Sequence, residues 1–175
     1  MAGDTFAIET RSAAETEALA ARLACALKGG MLLALAGELG AGKTVFVRGL
    51  ARGLNMPPDV MVTSPTYVLQ HIYRGGRLTL YHIDLYRLLG GAVEFEDSGL
   101  HECLDDCQGV VCVEWPERAA DLQWPPDRIS VQIDHLDPQR RRIAMQATGP
   151  NSRGALAALG SWLLALGSKS DIMRR

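Results

Sequence analysis

Gly37-Glu38-Leu39-Gly40-Ala41-Gly42-Lys43-Thr44 fits the pattern G-x-x-x-x-G-K-S/T at every fixed position. In front of it stands Met31 to Ala36, a continuous apolar run. Such a run suits a strand buried on both faces of a parallel sheet. Behind it a helix is expected from about Lys43 to about Leu54. Strand, glycine-rich loop and helix, in that order, make a cradle for polyphosphate. Glycines let backbone N–H groups approach phosphate oxygens without Cβ clashes. The helix start adds unpaired N–H groups and the positive end of its dipole. Within this reading all eight residues touch the nucleotide, Lys43 brings a mobile charge to the β- and γ-phosphates, and the Thr44 hydroxyl is a ligand of Mg²⁺. The chain has only three lysines, Lys28, Lys43 and Lys169, and none follows an asparagine. The Asn-Lys-x-Asp segment that reads guanine is therefore missing, and ATP is the expected nucleotide.

A phosphate loop needs a carboxylate at the end of a neighbouring strand to hold Mg²⁺ or its water shell. Two acids qualify. Glu114 ends the apolar run Val110 to Val113, and Asp84 ends the β-rich stretch Leu78 to Ile83. Asp84 also suits a helix N-cap, a role glutamate fills poorly. We expect Glu114 on the metal and Asp84 orienting the attacking water, with the reverse assignment open. Ser64 and Thr66, in Thr63-Ser64-Pro65-Thr66-Tyr67, have hydroxyls suited to sensing a γ-phosphate, although from spacing alone a plain Ser-Pro turn is the stronger reading.

Outward from these motifs the pattern alternates between strand and helix, so the class is α/β: a P-loop NTPase-like, mostly parallel sheet flanked by helices, with antiparallel hairpin additions. Thr5 to Glu9 reads as a short strand. Ser12 and Glu15 form a capping box for a helix carrying Leu19, Leu23 and Leu27 and ending at Gly29-Gly30. Thr66 to Tyr73 and Arg77 to Ile83 flank Gly75-Gly76 as a hairpin. Leu85 to Asp106 reads as a mixed helical stretch. Ile129 to Ile133 and Arg142 to Gln146 form another hairpin around Asp137-Pro138, and Ser152 is placed to cap a last helix to Leu166. One domain is expected over 1–166, followed by a frayed tail over 167–175.

Composition narrows the class of function. Of 175 residues, 47% are apolar, which supports a folded core. The net charge of −2 does not give the basic footprint of a non-specific nucleic-acid binder. The chain starts without a basic segment leading into an apolar run, and no stretch is long enough to span a bilayer, so a cytoplasmic location is expected. The four cysteines suit reduced thiols. The spacing of His101, Cys103, Cys107 and Cys112 is a poor zinc signature. Arg140-Arg141-Arg142 reads as a solvated hairpin tip and His82 as a half-buried strand histidine with a hydrogen-bond partner.

The segments G-E-L-G-A-G-K-T at Gly37 to Thr44, S-P-T-Y at Ser64 to Tyr67, Y-H-I-D-L-Y-R-L at Tyr81 to Leu88 and V-E-W-P at Val113 to Pro116 together resemble the TsaE (YjeE) family. The resemblance spans about Thr10 to Gly149. It implies a small bacterial ATPase of the tRNA threonylcarbamoyladenosine machinery, weak alone, acting with a TsaD–TsaB-type threonylcarbamoyl-transferase complex and reaching tRNA only through it. The modified adenosine lies beside the anticodon of tRNAs that read ANN codons. Carried over by position, Lys43 is the phosphate lysine, Thr44 the Mg²⁺ threonine, Glu114 the metal-side acid, Trp115 the tryptophan beside it, counted with the nucleotide-binding residues, and Asp84 the acid of the H-x-D-x-Y-R segment. Ser64 and Thr66 fall in the switch-like loop, and Thr16 falls near the nucleotide. Glu38 stands where aspartate is usual in the family and Asn55 where glycine is common. Two rival readings are a small-metabolite P-loop kinase and a non-catalytic nucleotide-dependent sensor.

Overall fold

Residues 5–88, 101–106 and 108–165, with the backbone of 173–174, are described by the computed structural model. Along the chain run β1 (Thr5–Thr10), α1 (Ala13–Ala24), β2 (Met31–Ala36), α2 (Lys43–Gly53), β3 (Gln70–Tyr73) and β4 (Thr79–Asp84). Then follow α3 (His101–Asp105), β5 (Gly109–Glu114), a 3₁₀ turn (Pro116–Ala119), β6 (Arg128–His135), β7 (Arg141–Ala147), α4 (Pro150–Ala165) and β8 (Met173–Arg174). Among the described residues the strands form one sheet in the order β3-β4-β5-β2-β6-β7-β1-β8. The central four, β4, β5, β2 and β6, are parallel, and β3, β7, β1 and β8 add antiparallel at the two sides. This is the α/β architecture expected, with both hairpins, β3–β4 and β6–β7, in place.

The apolar run of β2 is explained by burial on both faces. Met31, Leu33 and Leu35 join a core with Phe46, Val47 and Leu50 of α2 and Leu19 and Leu23 of α1. Leu32 and Ala34 join a second core with Ile83, Val111 and Val113 on the opposite face. β5 is buried at all six positions for the same reason. By contrast β1, β6 and β7 alternate buried with less buried positions, since they bury one face only. Phe46, fully buried, contributes roughly 1.5–3 kcal/mol by its removal from water.

Helices α1 and α2 lie close because Gly49 faces α1: a Cβ there would stand 2.3 Å from the Glu17 carbonyl oxygen and 2.7 Å from Ala20 Cβ. The capping box forms in a shifted version. The Ser12 hydroxyl accepts from Glu15 N at 3.2 Å, while the Glu15 carboxylate reaches back to Arg11 N at 2.7 Å. α1 ends at Ala24, earlier than Gly29-Gly30, and Leu27 is buried after the helix has stopped. Asn55 has φ 59°, a left-handed turn after α2 that explains why glycine also suits this position.

Three local expectations are corrected. Thr66 to Leu69 is turn rather than strand; the ladder starts at Gln70, because Leu69 takes φ 61° and breaks the extended run. Leu85 to Leu88 is also a turn, closed by Leu88 N donating to the Leu85 carbonyl, and helix returns only at His101–Asp105; residues 89–100 of that stretch lie outside the described residues. Ser152 lies inside α4, bonded to Gly149 N, and the helix start is capped from a distance: Asp127 accepts from Asn151 N and Ser152 N, both at 2.9 Å. Of the expected tail, 167–172 and 175 are likewise outside the described residues, and Met173–Arg174 pairs with β1. Among the described residues no helix is long and apolar enough to cross a membrane.

Candidate functional site

The glycine-rich loop leaves the carboxyl end of β2, which has β5 on one side and β6 on the other. In open parallel sheets ligands bind in a crevice at such strand ends, where the connections diverge. Gly37, Gly40 and Gly42 all have positive φ. Gly37 is the most constrained: its φ is 142°, and a Cβ there would stand only 2.3 Å from the Ile133 carbonyl oxygen. A Cβ at Gly40 would meet nothing within 4 Å, so the loop faces open space of the kind a phosphate chain would fill. Leu39 is exposed, whereas Ala41 is buried against the fold and anchors the loop.

Lys43 opens α2 and turns its Nζ back into the loop, donating to the carbonyls of Gly37 at 2.7 Å and Glu38 at 2.9 Å. Its ammonium also lies 3.7 Å from the centre of the Trp115 ring. Burial pulls the Lys43 pKa below the usual lysine range, and Glu114, Glu117 and Asp84 pull it back up. An anion placed beside Nζ would add to that upward pull.

The two acids end adjacent parallel strands in register, Asp84 opposite Glu114. Both are buried. Glu114 Oε1 accepts from Thr44 Oγ1 at 2.9 Å and from His82 Nε2 at 2.8 Å. Thr44 and Glu114, the expected metal pair, are thus brought together. Their donor set suits Mg²⁺, which takes few protein oxygens and completes its shell with phosphate and water. Among the described residues no group of three or more His, Cys, Asp or Glu side chains could hold a metal on its own, so phosphate oxygens would have to complete this site.

Asp84 is filled differently. Its Oδ2 accepts from Ser64 Oγ at 2.5 Å and Thr66 Oγ1 at 2.6 Å, and its Oδ1 accepts from Tyr86 N at 2.9 Å. Ser64 and Thr66 are themselves 2.6 Å apart. The switch-like loop is therefore latched to the acid that the sequence singled out. Tyr86 lies 5.0 Å from Trp115, ring to ring, and the Arg118 guanidinium lies 5.8 Å from the centre of the Tyr86 ring. Trp115 has φ 59°, a costly conformation for a bulky residue, directly after Glu114.

Three features escaped the sequence reading. A cavity of about 390 Å³ borders the loop, lined by Ser12, Thr16, Gly42, Gln139 and Arg141 among others. Thr16 is buried there, its Oγ1 2.8 Å from Thr10 Oγ1. Arg141 is no solvated tip residue: its Nε donates to the Ala41 carbonyl at 2.9 Å and its Nη1 to that of Asp137 at 2.9 Å, tying the β6–β7 turn to the glycine-rich loop. His82 is fully buried rather than half-buried, and only one of its ring nitrogens has a partner among the described residues. Arg141 follows the glycine loop by about 100 residues, a separation at which no local pattern signals contact.

The chain matches the family model described as threonylcarbamoyl adenosine biosynthesis protein TsaE over residues 10–143. It is 40% identical over 135 residues to the tRNA threonylcarbamoyladenosine biosynthesis protein TsaE of Bacillus subtilis, covering 77% of this chain and 81% of that one. The protein of the same name from Treponema pallidum is 39% identical over 136 residues, covering 78% of this chain and 96% of that one. Among solved structures, Bacillus subtilis YdiB superposes with a TM-score of 0.77 at 31% identity, covering 93% of this chain and 98% of that one.

Proposed function

Since the chain belongs to the TsaE family of tRNA threonylcarbamoyladenosine biosynthesis proteins, we propose that it is the ATP-binding and ATP-hydrolysing subunit of that modification. It acts on a TsaD–TsaB-type transferase complex in the cytoplasm, meets tRNA only through that complex, and serves the adenosine next to the anticodon in tRNAs reading ANN codons. The observation that carries the reading is the meeting of Thr44 Oγ1 and Glu114 Oε1 at 2.9 Å beside a loop into which Lys43 Nζ is turned.

The residues divide the work. Backbone N–H groups of Gly40 to Thr44 and the Lys43 ammonium bind the phosphates. Gly37 and Arg141 hold the loop in shape, Gly37 by fitting under the Ile133 carbonyl and Arg141 by fixing Ala41. The cavity beside Thr16 and Gln139 is large enough to take the base or sugar. Thr44 and Glu114 would hold Mg²⁺, which when bound neutralises charge on the β- and γ-phosphates. Asp84, with Ser64 and Thr66 bonded to it, orients water at the γ-phosphate and ties that geometry to the loop. Ordering of this loop by the γ-phosphate is the physical route by which ATP, more than ADP, promotes assembly on the partner complex.

Phosphate release, measured with and without the purified transferase partners, tests the reading. Slow release by the chain alone that rises when the partners are added is expected. No release in either condition would overturn it, and transfer of phosphate to a small metabolite instead of water would replace it by the kinase reading.

A further inference from the structure

His82 lies in the middle of β4, paired with His71 of β3 on one side and Cys112 of β5 on the other, and it is 0% exposed. Its Nε2 is 2.8 Å from Glu114 Oε1, and its Nδ1 has no hydrogen-bond partner among the described residues. A neutral imidazole carries one N–H. A carboxylate oxygen only accepts, so that N–H is on Nε2 and Nδ1 keeps a bare, buried lone pair. Leaving a buried polar atom unsatisfied is costly, and an apolar side chain of similar shape would avoid the cost. Packing alone therefore does not account for a histidine here; the Nε2–H toward Glu114 does.

The same carboxylate oxygen takes the Thr44 hydroxyl at 2.9 Å. Two donors, one on β4 and one on α2, converge on a single oxygen and so fix the carboxylate's rotation. We propose that His82 is a positioning residue of the metal site: its Nε2–H pins Glu114 Oε1 and holds the carboxylate in the orientation that meets a nucleotide-bound divalent cation. This rests on the reading of Glu114 as the metal-side acid. Residues that orient a ligand through one hydrogen bond carry roughly 10–100-fold in metal affinity.

The test uses Mn²⁺ as a spectroscopic stand-in for Mg²⁺ and ADP as a nucleotide that is not consumed. The full chain and its His82→Gln, His82→Asn and His82→Leu variants are compared for Mn²⁺ affinity in the ADP complex by electron paramagnetic resonance, and for ADP affinity without metal in chelator. Circular dichroism checks the fold. Glutamine carries its N–H near the position of Nε2, asparagine near that of Nδ1. The expected result is Mn²⁺ affinity within about threefold of the parent for His82→Gln and roughly 10–100-fold weaker for His82→Asn and His82→Leu, with metal-free ADP affinity unchanged in all. Parent-like Mn²⁺ affinity in the asparagine variant would overturn the proposal alone. So would an equal loss of metal-free ADP affinity, which marks a purely structural role. If His82→Leu does not fold, the glutamine–asparagine contrast still gives the answer. Absence of Mn²⁺·ADP binding by the parent would overturn the nucleotide reading, and the proposal with it.

Discussion

Changing Asp84 to asparagine keeps the side chain's size and removes one acceptor oxygen from a cluster that uses both. Oδ2 now takes the hydroxyls of Ser64 and Thr66, and Oδ1 takes Tyr86 N. Whichever way the amide turns, its NH₂ faces a present donor. Hydrogen bonds to a charged group contribute about 1.5–3 kcal/mol and neutral ones about 0.5–1.5 kcal/mol. The two hydroxyl contacts therefore weaken by about 1 kcal/mol each. Together that is about 2 kcal/mol, or roughly a 30-fold shift toward a released 63–67 loop. On the role proposed for Asp84, loss of the group that orients water would remove a further factor of roughly 10²–10⁴ from the chemical step. ADP has no γ-phosphate to feel either change. Single-turnover phosphate release by Asp84→Asn should fall by at least about 10², while ADP affinity measured by titration stays within about threefold. A parent rate of hydrolysis would rule out this role for Asp84, and a parallel collapse of ADP affinity would show that Asp84 supports the nucleotide site as a whole.

Lys43→Ala removes an ammonium that donates to two loop carbonyls and would donate to phosphate; nucleotide affinity should fall by roughly 10²–10⁴ in titration, at about 1.5–3 kcal/mol per charged contact for two contacts. Gly49→Ala places a methyl 2.3 Å from the Glu17 carbonyl oxygen and should destabilise the fold by about 1–3 kcal/mol in urea unfolding, since forcing α1 and α2 apart outweighs the helix-propensity gain of about 1 kcal/mol. Asp137, bonded by Arg140 Nε and by the backbone N–H of Arg140 and Gln139, titrates at about 2, below the usual carboxylate range. A folded-state pKa below the unfolded value of about 3.9 means its contribution is present above about pH 4 and is lost as pH falls toward about 2; amide protection factors in the 136–140 turn, taken relative to the intrinsic exchange rate at each pH, should fall over that window and, in Asp137→Asn, stay constant.

The fold was largely legible because its informative segments are local. A doubly buried strand writes a continuous apolar run, as in Met31 to Ala36 and Val110 to Val113, and the glycine-rich loop carries its glycines and lysine within eight residues. Asp84 and Glu114 could be picked out because each ends such a run, and the sheet register then sets them side by side. What stayed hidden depends on distant partners. Nothing near Arg141 announces Ala41, nothing near Ser152 announces Asp127, and the partner of His82 lies 32 residues away across a strand pair. The errors of element type have the same source. Leu85 to Leu88 carries enough apolar residues for a helix, yet Leu85 and Leu88 are drawn into the second core with Ile83 and Val113 and the chain turns there. Tertiary burial overrode local periodicity.

We propose that the 37–44 loop with Lys43, Thr44 and Glu114 forms a nucleotide site completed by a divalent cation. Isothermal titration of the full chain with a non-hydrolysable ATP analogue tests it most directly, run with Mg²⁺ and with chelator, alone and beside the transferase partners. One saturable site is predicted, with an affinity that is higher with Mg²⁺ and is lost in Lys43→Ala. No heat of binding under any of these conditions, or binding that Lys43→Ala leaves untouched, would contradict it.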